Sequence, residues 1–283
     1  MNSHQFRKRT PIMQSPLYRG AVFLFSVACY GVFLLVFLYL LAFLGNLQIT
    51  ALADAFPVLR ALVPASVDLG RDMGSVGFAF AVDAALILLF GLQHSVMARP
   101  GFKRAWTRAV PKELERSVYV LLSSVVLALV MWQWRPIPTP TIWHADEAFG
   151  VSFGWSVMGV GVAILLWATF LINHFELFGL QQGWLTLRGA ELRRPAFVTP
   201  WLYKIVRHPL YVGWFLIFWG APTMSAGHLL FSAGMSAYIL IAIRFEERDL
   251  VRHIGEPYRR YQQEVPALIP RPRATIQRLD EAP

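Results

Sequence analysis

Residues 210–243 read LYVGWFLIFWGAPTMSAGHLLFSAGMSAYILIAI, and the fold turns on how this run is threaded. It holds 34 residues without Asp, Glu, Lys or Arg. One helical crossing of a hydrocarbon core about 30 Å thick takes only about 20 residues. Gly220-Ala221-Pro222 and Gly227-His228 interrupt the run and supply a turning point. The reading is a helical hairpin, full or re-entrant, with both ends on the same membrane face. Arg207-His208 precede it and Glu246-Glu247 follow it, so opposite charges frame a pocket at the lipid–water boundary.

The rest of the chain agrees with a membrane setting. Of its 283 residues 56% are hydrophobic, with a mean hydropathy of +0.47, above the range of soluble domains. Further apolar runs lie near Gly20–Leu44, Val76–Leu92, Ser117–Trp134 and Trp155–Ile172. The expected fold is all-α: a polytopic membrane helical bundle with about five membrane-embedded segments, the last a hairpin. It forms a single domain over 1–283, with the cofactor-binding half expected at about 173–270. A cytoplasmic C-terminal helix should start near Arg244 and run toward Glu256, where Gly255 and Pro257 end or kink it. The first apolar run, about 25 residues long, exceeds a secretory h-region and reads as a retained anchor.

The net charge of +9 could suggest nucleic acid, but its distribution argues for topology. Four Lys and Arg residues precede the first span, six lie in the second loop, five in the fourth and eight in the tail; the first and third loops hold two and one. That asymmetry puts both termini in the cytoplasm, with some attraction to anionic lipid. It also requires the 210–243 run to return, since a single crossing would export the basic tail. Among the loops, Asn46–Ser75 reads as a partly ordered cap. Ala98–Arg116 is either an amphipathic surface helix or a solvated loop. Arg135–Gly154, with Pro136, Pro138 and Pro140, reads as irregular.

Several chemistries are excluded. Cys29 is the single cysteine, so no disulfide forms within the chain. The chain lacks CxxC and any His pair at helical metal spacing, and no metal is expected. It also lacks GxGxxG, so no Rossmann unit is expected.

The remaining polar residues fall into clusters. Pro209 disfavours helix at His208 and suits a first helical turn, leaving backbone N–H groups and the positive helix end at the boundary. The alternative is that Arg207 and His208 only anchor a helix at lipid headgroups. Glu246-Glu247, flanked by Arg244 and Arg248, form either a surface salt-bridge cluster or one wall of a pocket. In residues 173–182, Asn173, His174, Glu176, Gln181 and Gln182 alternate with apolar residues at a membrane edge, where polar groups face a cavity or satisfy a helix end. His174 and Glu176 are read as able to orient one another or a substrate. Asp83 within the second span is a functional candidate or an interhelical hydrogen bond, and Gln93-His94-Ser95 could line the same pocket.

The run Arg207-His208-Pro209-Leu210-Tyr211-Val212-Gly213-Trp214, followed by Glu246-Glu247, Gly255, Tyr258, Tyr261, Val265-Pro266 and Ile269-Pro270, resembles the isoprenylcysteine carboxyl methyltransferase superfamily. Residues 92–99, 115–119, 132–136 and 173–181 extend the resemblance to its bacterial methanethiol S-methyltransferase branch. The resemblance implies a membrane-embedded enzyme of the bacterial inner membrane that uses S-adenosylmethionine. Tyr203, His208, Pro209, Leu210, Tyr211 and Glu246 would contact that cofactor, with Gln181 a looser match. The superfamily often has Gly on the approach to Tyr203; this chain has Trp201, which argues against close backbone approach there.

The residues fit that expectation. Glu246 or Glu247 can accept from ribose hydroxyls or the ammonium, and Arg207 or Arg244 can hold the carboxylate. Tyr211, Trp214 and Phe175 can face the sulfonium. His174 or His208 can take the thiol proton. His94, His174, Phe175, Glu176 and Arg244 are the candidate acceptor-binding residues. The first expectation is methylation of methanethiol, a small volatile thiol, to dimethyl sulfide. A larger lipid or prenyl thiol is a second reading, and a non-catalytic scaffold or transporter component a third. Membrane lipid is an expected partner and nucleic acid is not; the oligomeric state is unread.

Overall fold

The computed structural model describes residues 15–47, 66–70, 73–190 and 197–271. Ser15 starts the first helix, α1 (Pro16–Leu44): its side chain accepts from the Tyr18 amide at 3.2 Å, and Pro16 occupies the first turn, where no N–H partner is needed. Ser75 caps α2 (Val76–Ala98) in the same way through Phe78 N. A short α3 (Pro100–Trp106) leads to α4 (Lys112–Gln133). A strand β1 (Thr141–His144) precedes α5 (Ala148–Leu171). Then come α6 (His174–Leu177), α7 (Leu180–Arg188) and a 3-10 turn at Trp201–Lys204. The 210–243 run forms α8 (Pro209–Trp219), strand β2 (Thr223–Ser225) and the start of α9 (Ala226–Ile254). Helix α10 (Glu256–Glu264) is the last helix among the described residues.

Among the described residues five helices, α1, α2, α4, α5 and α9, are long and apolar enough to cross a membrane. Contacts give their directions: α2, α5 and α9 run opposite to α1 and α4, because α8 returns the chain between α5 and α9. Gly45 at the end of α1 lies against Trp155 near the start of α5. Arg135, after α4, donates its backbone N–H to Asp83 in the first half of α2 at 2.9 Å. At the opposite end, Arg99, after α2, meets Asp249 late in α9 at 3.0 Å. Asp83 Oδ1 is therefore engaged in a polar contact between chain segments, in line with the second of its two readings, while its buried Oδ2 has no hydrogen-bond partner among the described residues.

Aromatic and aliphatic side chains fill the interior, with Phe43, Trp134, Ile217, Phe218 and Phe231 withdrawn from solvent. The apolar side chains facing outward, such as Leu35, Leu88 and Phe170, belong on a lipid-facing surface. Helices α5 and α8 approach so closely that a methyl group on Gly213 would stand 2.7 Å from the Gly161 carbonyl oxygen.

The hairpin is present, but its arms are unequal. α8 has 11 residues and α9 has 29, so the first arm is about 16 Å long and the second about 43 Å. The turn falls at Gly220–Ser225, where Gly220, Ala221 and Pro222 stop α8. No new helix starts at Arg244. α9 runs through it to Ile254 because the last apolar turns and the charged turns share one unbroken helical register. Gly255, at φ 77°, then turns the chain, and Pro257 sits in the first turn of α10. The third loop is less irregular than its prolines suggest: Thr141–His144 pairs antiparallel with Thr223–Ser225, and α5 begins at Ala148. Among the described residues the fold is thus helical with one small two-stranded ladder. In the second loop only Pro100–Trp106 is helical, and Lys112 and Arg116 belong to α4. Most of the first loop lies outside the described residues; within it, Val67 is buried in the core and Asp68 accepts from Asn46 Nδ2 at 2.5 Å.

Candidate functional site

Pro209 occupies the first turn of α8, so His208 becomes the N-cap with φ −126° and ψ 61°, outside the helix. Its N–H donates to Ala267 O at 3.1 Å, and the neighbouring Arg207 N–H donates to Pro266 O at 2.9 Å. The segment after α10 is thereby laid against the start of α8. Across from it, the charged turn of α9 presents Glu246 and Glu247, and the two carboxylates have different surroundings.

Glu247 is enclosed. Its Oε1 accepts from Arg207 Nε at 2.7 Å and pairs with His208 Nε2 at 3.0 Å, while its Oε2 accepts from Gln262 Nε2 at 2.9 Å. Arg207 is equally committed: one Nη donates to the Gln262 carbonyl at 3.0 Å and also to the Val265 carbonyl. Arg207 therefore ties α9, α10 and the following turn together.

Glu246 is different: 42% of its side-chain surface is open, against 16% for Glu247. Its Oε2 accepts from Tyr211 OH at 2.8 Å and lies 4.0 Å from His208 Nδ1. Burial first, and then the Glu246 charge, hold the Tyr203 phenol above its usual range. Tyr203 donates to Ala168 O at 3.5 Å and its own carbonyl accepts from Tyr261 OH at 2.5 Å. Burial pushes the Tyr261 phenol up to about 12 despite the nearby Arg207. The result is a half-open carboxylate beside the phenols of Tyr203 and Tyr211 and the imidazole of His208.

The 173–182 segment builds a second polar group. Asn173 adopts a left-handed conformation (φ 88°), and its side-chain oxygen accepts from Glu176 N at 3.3 Å, which starts α6. Its Nδ2 donates to Glu176 Oε2 at 3.0 Å and to Gln181 Oε1. His174 and Glu176 do not orient one another: two residues apart on a single helical turn, they face different ways. His174 is buried, stacked on Phe170 at 4.3 Å, with Nε2 2.8 Å from Tyr30 OH and Nδ1 2.9 Å from Thr169 Oγ1. Burial lowers its pKa. Phe175 is half exposed and edge-on to Phe170, while Trp214 stacks on Phe218 in the core. Of the three aromatic candidates for a sulfonium, only Tyr211 stands at Glu246.

His94 pairs through Nε2 with Tyr119 OH at 2.8 Å and through Nδ1 with Ser123 at 3.0 Å. Arg244 is exposed and lines a groove with Glu247 and Arg248, on a side of α9 about 200° around from Glu246. Sequence reasoning missed Gln262 as a partner of Glu247; the signal was Tyr258 and Tyr261, whose spacing marks the buried face of α10. Trp201 carries φ 38°, a region that favours glycine, and is 73% exposed.

The family model described as NnrU protein matches residues 84–270. Methanethiol S-methyltransferase 2 of Bradyrhizobium diazoefficiens is 46% identical over 89% of this chain and 91% of its own length. The methanethiol S-methyltransferase of Crocosphaera subtropica is 45% identical over 93% and 97%. That of Mycobacterium tuberculosis is 44% identical over 90% and 98%. No solved structure matches the chain.

Proposed function

The chain belongs to the methanethiol S-methyltransferases, within the NnrU protein family, and on that footing we propose that it transfers a methyl group from S-adenosylmethionine to methanethiol, giving dimethyl sulfide. The observation that carries the donor assignment is the contrast between the half-open Glu246 and the enclosed Glu247. A donor with ribose hydroxyls, an ammonium and a sulfonium fits an accepting carboxylate flanked by aromatic rings. Glu246, Tyr203, Tyr211, His208, Pro209 and Leu210 would hold it, with Gln181 placed by Asn173 on the neighbouring segment. When bound, it supplies an electrophilic methyl group.

Arg207 and Glu247 act as positioning residues. Their hydrogen bonds are spent on each other, on His208 and on the α10 segment. Holding the reactants in line is worth much of the rate in a displacement of this kind. The acceptor reacts as thiolate. His208 takes the thiol proton at Nδ1, the nitrogen turned away from Glu247, and Glu247 stabilises the imidazolium through Nε2–H. His174 engages both ring nitrogens with Tyr30 and Thr169 and so serves to seat the 173–182 segment. His94, Phe175, Glu176 and Arg244 are the remaining candidates on the acceptor side.

The bacterial relatives favour an inner (cell) membrane location, and the basic loops favour both termini and the donor site in the cytoplasm. Purified protein in lipid nanodiscs, given methanethiol and S-adenosylmethionine, should release dimethyl sulfide into the headspace. Absence of product from a preparation that binds the donor would sink the acceptor assignment. Absence of donor binding would sink the reading as a whole.

A further inference from the structure

The apolar run ends at Ile243, and α9 continues for three more turns. Along them Arg244, Arg248 and Arg252 recur every fourth residue, on one side of the helix. The turn at Gly255 folds α10 back and brings Arg259 to the same side. The four guanidinium groups and Val251 line a groove of about 570 Å³. All four arginines are exposed, the side chains of Arg252 and Arg259 by 76% and 62%.

Nearby carboxylates do little to balance them. Glu247, at the groove wall, is already taken by Arg207 at 2.7 Å and His208 at 3.0 Å. Asp249 is held by Arg99 at 3.0 Å and reaches Arg252 only at 3.8 Å. Glu256 stands 3.8 Å from Arg259. Four cations gathered in one groove repel each other unless a ligand supplies negative charge, and guanidinium forks match phosphate geometry. The groove begins where the apolar stretch stops, which is the level of lipid headgroups. We propose that it is a binding site for the phosphodiester headgroup of an anionic phospholipid, whose acyl chains lie along the apolar turns before Arg244. A lipid held there spans α9 and α10, and Gln262 of α10 donates to Glu247 at the adjoining wall. The headgroup therefore braces the C-terminal segment over the site just described.

The test uses the full chain in phosphatidylcholine nanodiscs, titrated with phosphatidylglycerol and read by native mass spectrometry. Saturable retention of phosphatidylglycerol is expected. Retention should weaken at least tenfold in Arg248→Gln/Arg252→Gln/Arg259→Gln and less than twofold in Arg104→Gln/Arg108→Gln/Lys112→Gln, which removes the same charge from exposed sites elsewhere. Equal loss in both variants would reduce the effect to diffuse charge and overturn the proposal. So would equal retention of phosphatidylcholine, or displacement of the lipid by millimolar inorganic phosphate, which would make this a soluble-phosphate site. Should the triple variant fail to fold, Arg252→Gln alone must still weaken retention about threefold, and unchanged retention overturns the site. Lipid retention is read without turnover, so this result and the methyl-transfer assay stand apart.

Discussion

Arg207 and Glu247 meet at 2.7 Å across 40 residues of chain, with only 10% and 16% of their side-chain surfaces open to solvent. Removing one partner of a pair so enclosed leaves the other charge uncompensated, at a cost of about 3 kcal/mol. Arg207→Ala should therefore lower the melting temperature in detergent and also weaken donor binding, since His208 loses the anchor of its own partner. Arg207→Lys should recover only part of either loss, because one ammonium cannot replace the fork that also reaches the Gln262 and Val265 carbonyls. Full recovery by lysine would show that charge alone matters.

Glu246 and Glu247 should separate in the same two measurements. Glu246→Gln removes a charge that is half open and bonded to Tyr211, so stability should stay near that of the parent. Donor affinity by calorimetry should fall about 10- to 100-fold, the worth of a charge-assisted hydrogen bond. Glu247→Gln should lose both affinity and melting temperature. Reversal of this pattern would exchange the roles of the two carboxylates.

His174 supplies a pH test. Thr169 OH donates to Leu166 O at 2.7 Å, so Thr169 Oγ1 accepts from His174 Nδ1–H, and Nε2 is left to accept from Tyr30 OH. This neutral imidazole is buried and its pKa is lowered. The unfolded chain takes up a proton near pH ~6.5 that the folded chain refuses. The stabilisation is thus complete above that pH and is lost as pH falls toward the folded pKa. The melting-temperature advantage of the parent over His174→Gln should narrow between about pH 7.5 and 5.5. A constant gap would mean that His174 does not titrate differently on folding.

Gly213 tests the helix contact that carries α8. A side chain there meets the Gly161 carbonyl at 2.7 Å and Leu165 Cβ at 2.9 Å, and neither backbone can yield cheaply. Gly213→Val should destabilise by more than the ~1–3 kcal/mol typical of overpacking. Donor binding should fall as well, because His208 and Tyr211 ride on the same helix. Unchanged melting would show that α5 and α8 separate freely.

The membrane spans and the returning hairpin were legible because they depend on long-range composition and charge count, which survive without coordinates. The arms' inequality was not, because 210–243 carries no charge to mark where α8 stops; Gly220 and the pairing of Thr223 with His144 decide it. Glu246 and Glu247 were readable as a pair and unreadable as individuals, since their difference comes from Arg207 and Gln262, 40 and 15 residues away. His174 was singled out by its place at a membrane edge, yet Tyr30, 144 residues distant, is what occupies its ring nitrogen. The short ladder escaped because four residues among prolines carry little pattern of their own.

The short first arm of the hairpin sets a depth. Tyr203, just before it, reaches Ala168 O, while α5 still has apolar residues to run before Leu171. The start of α8 is consequently tied to the last apolar turn of α5, and the half-open carboxylate of Glu246, three residues past the end of the apolar run, stands at the boundary between that turn and water. A charged, water-borne reactant and a gas that dissolves in hydrocarbon can meet there without either crossing the other's solvent. A dialkyl sulfide formed at that boundary can depart sideways through the oily layer, so turnover needs no conduit through the membrane.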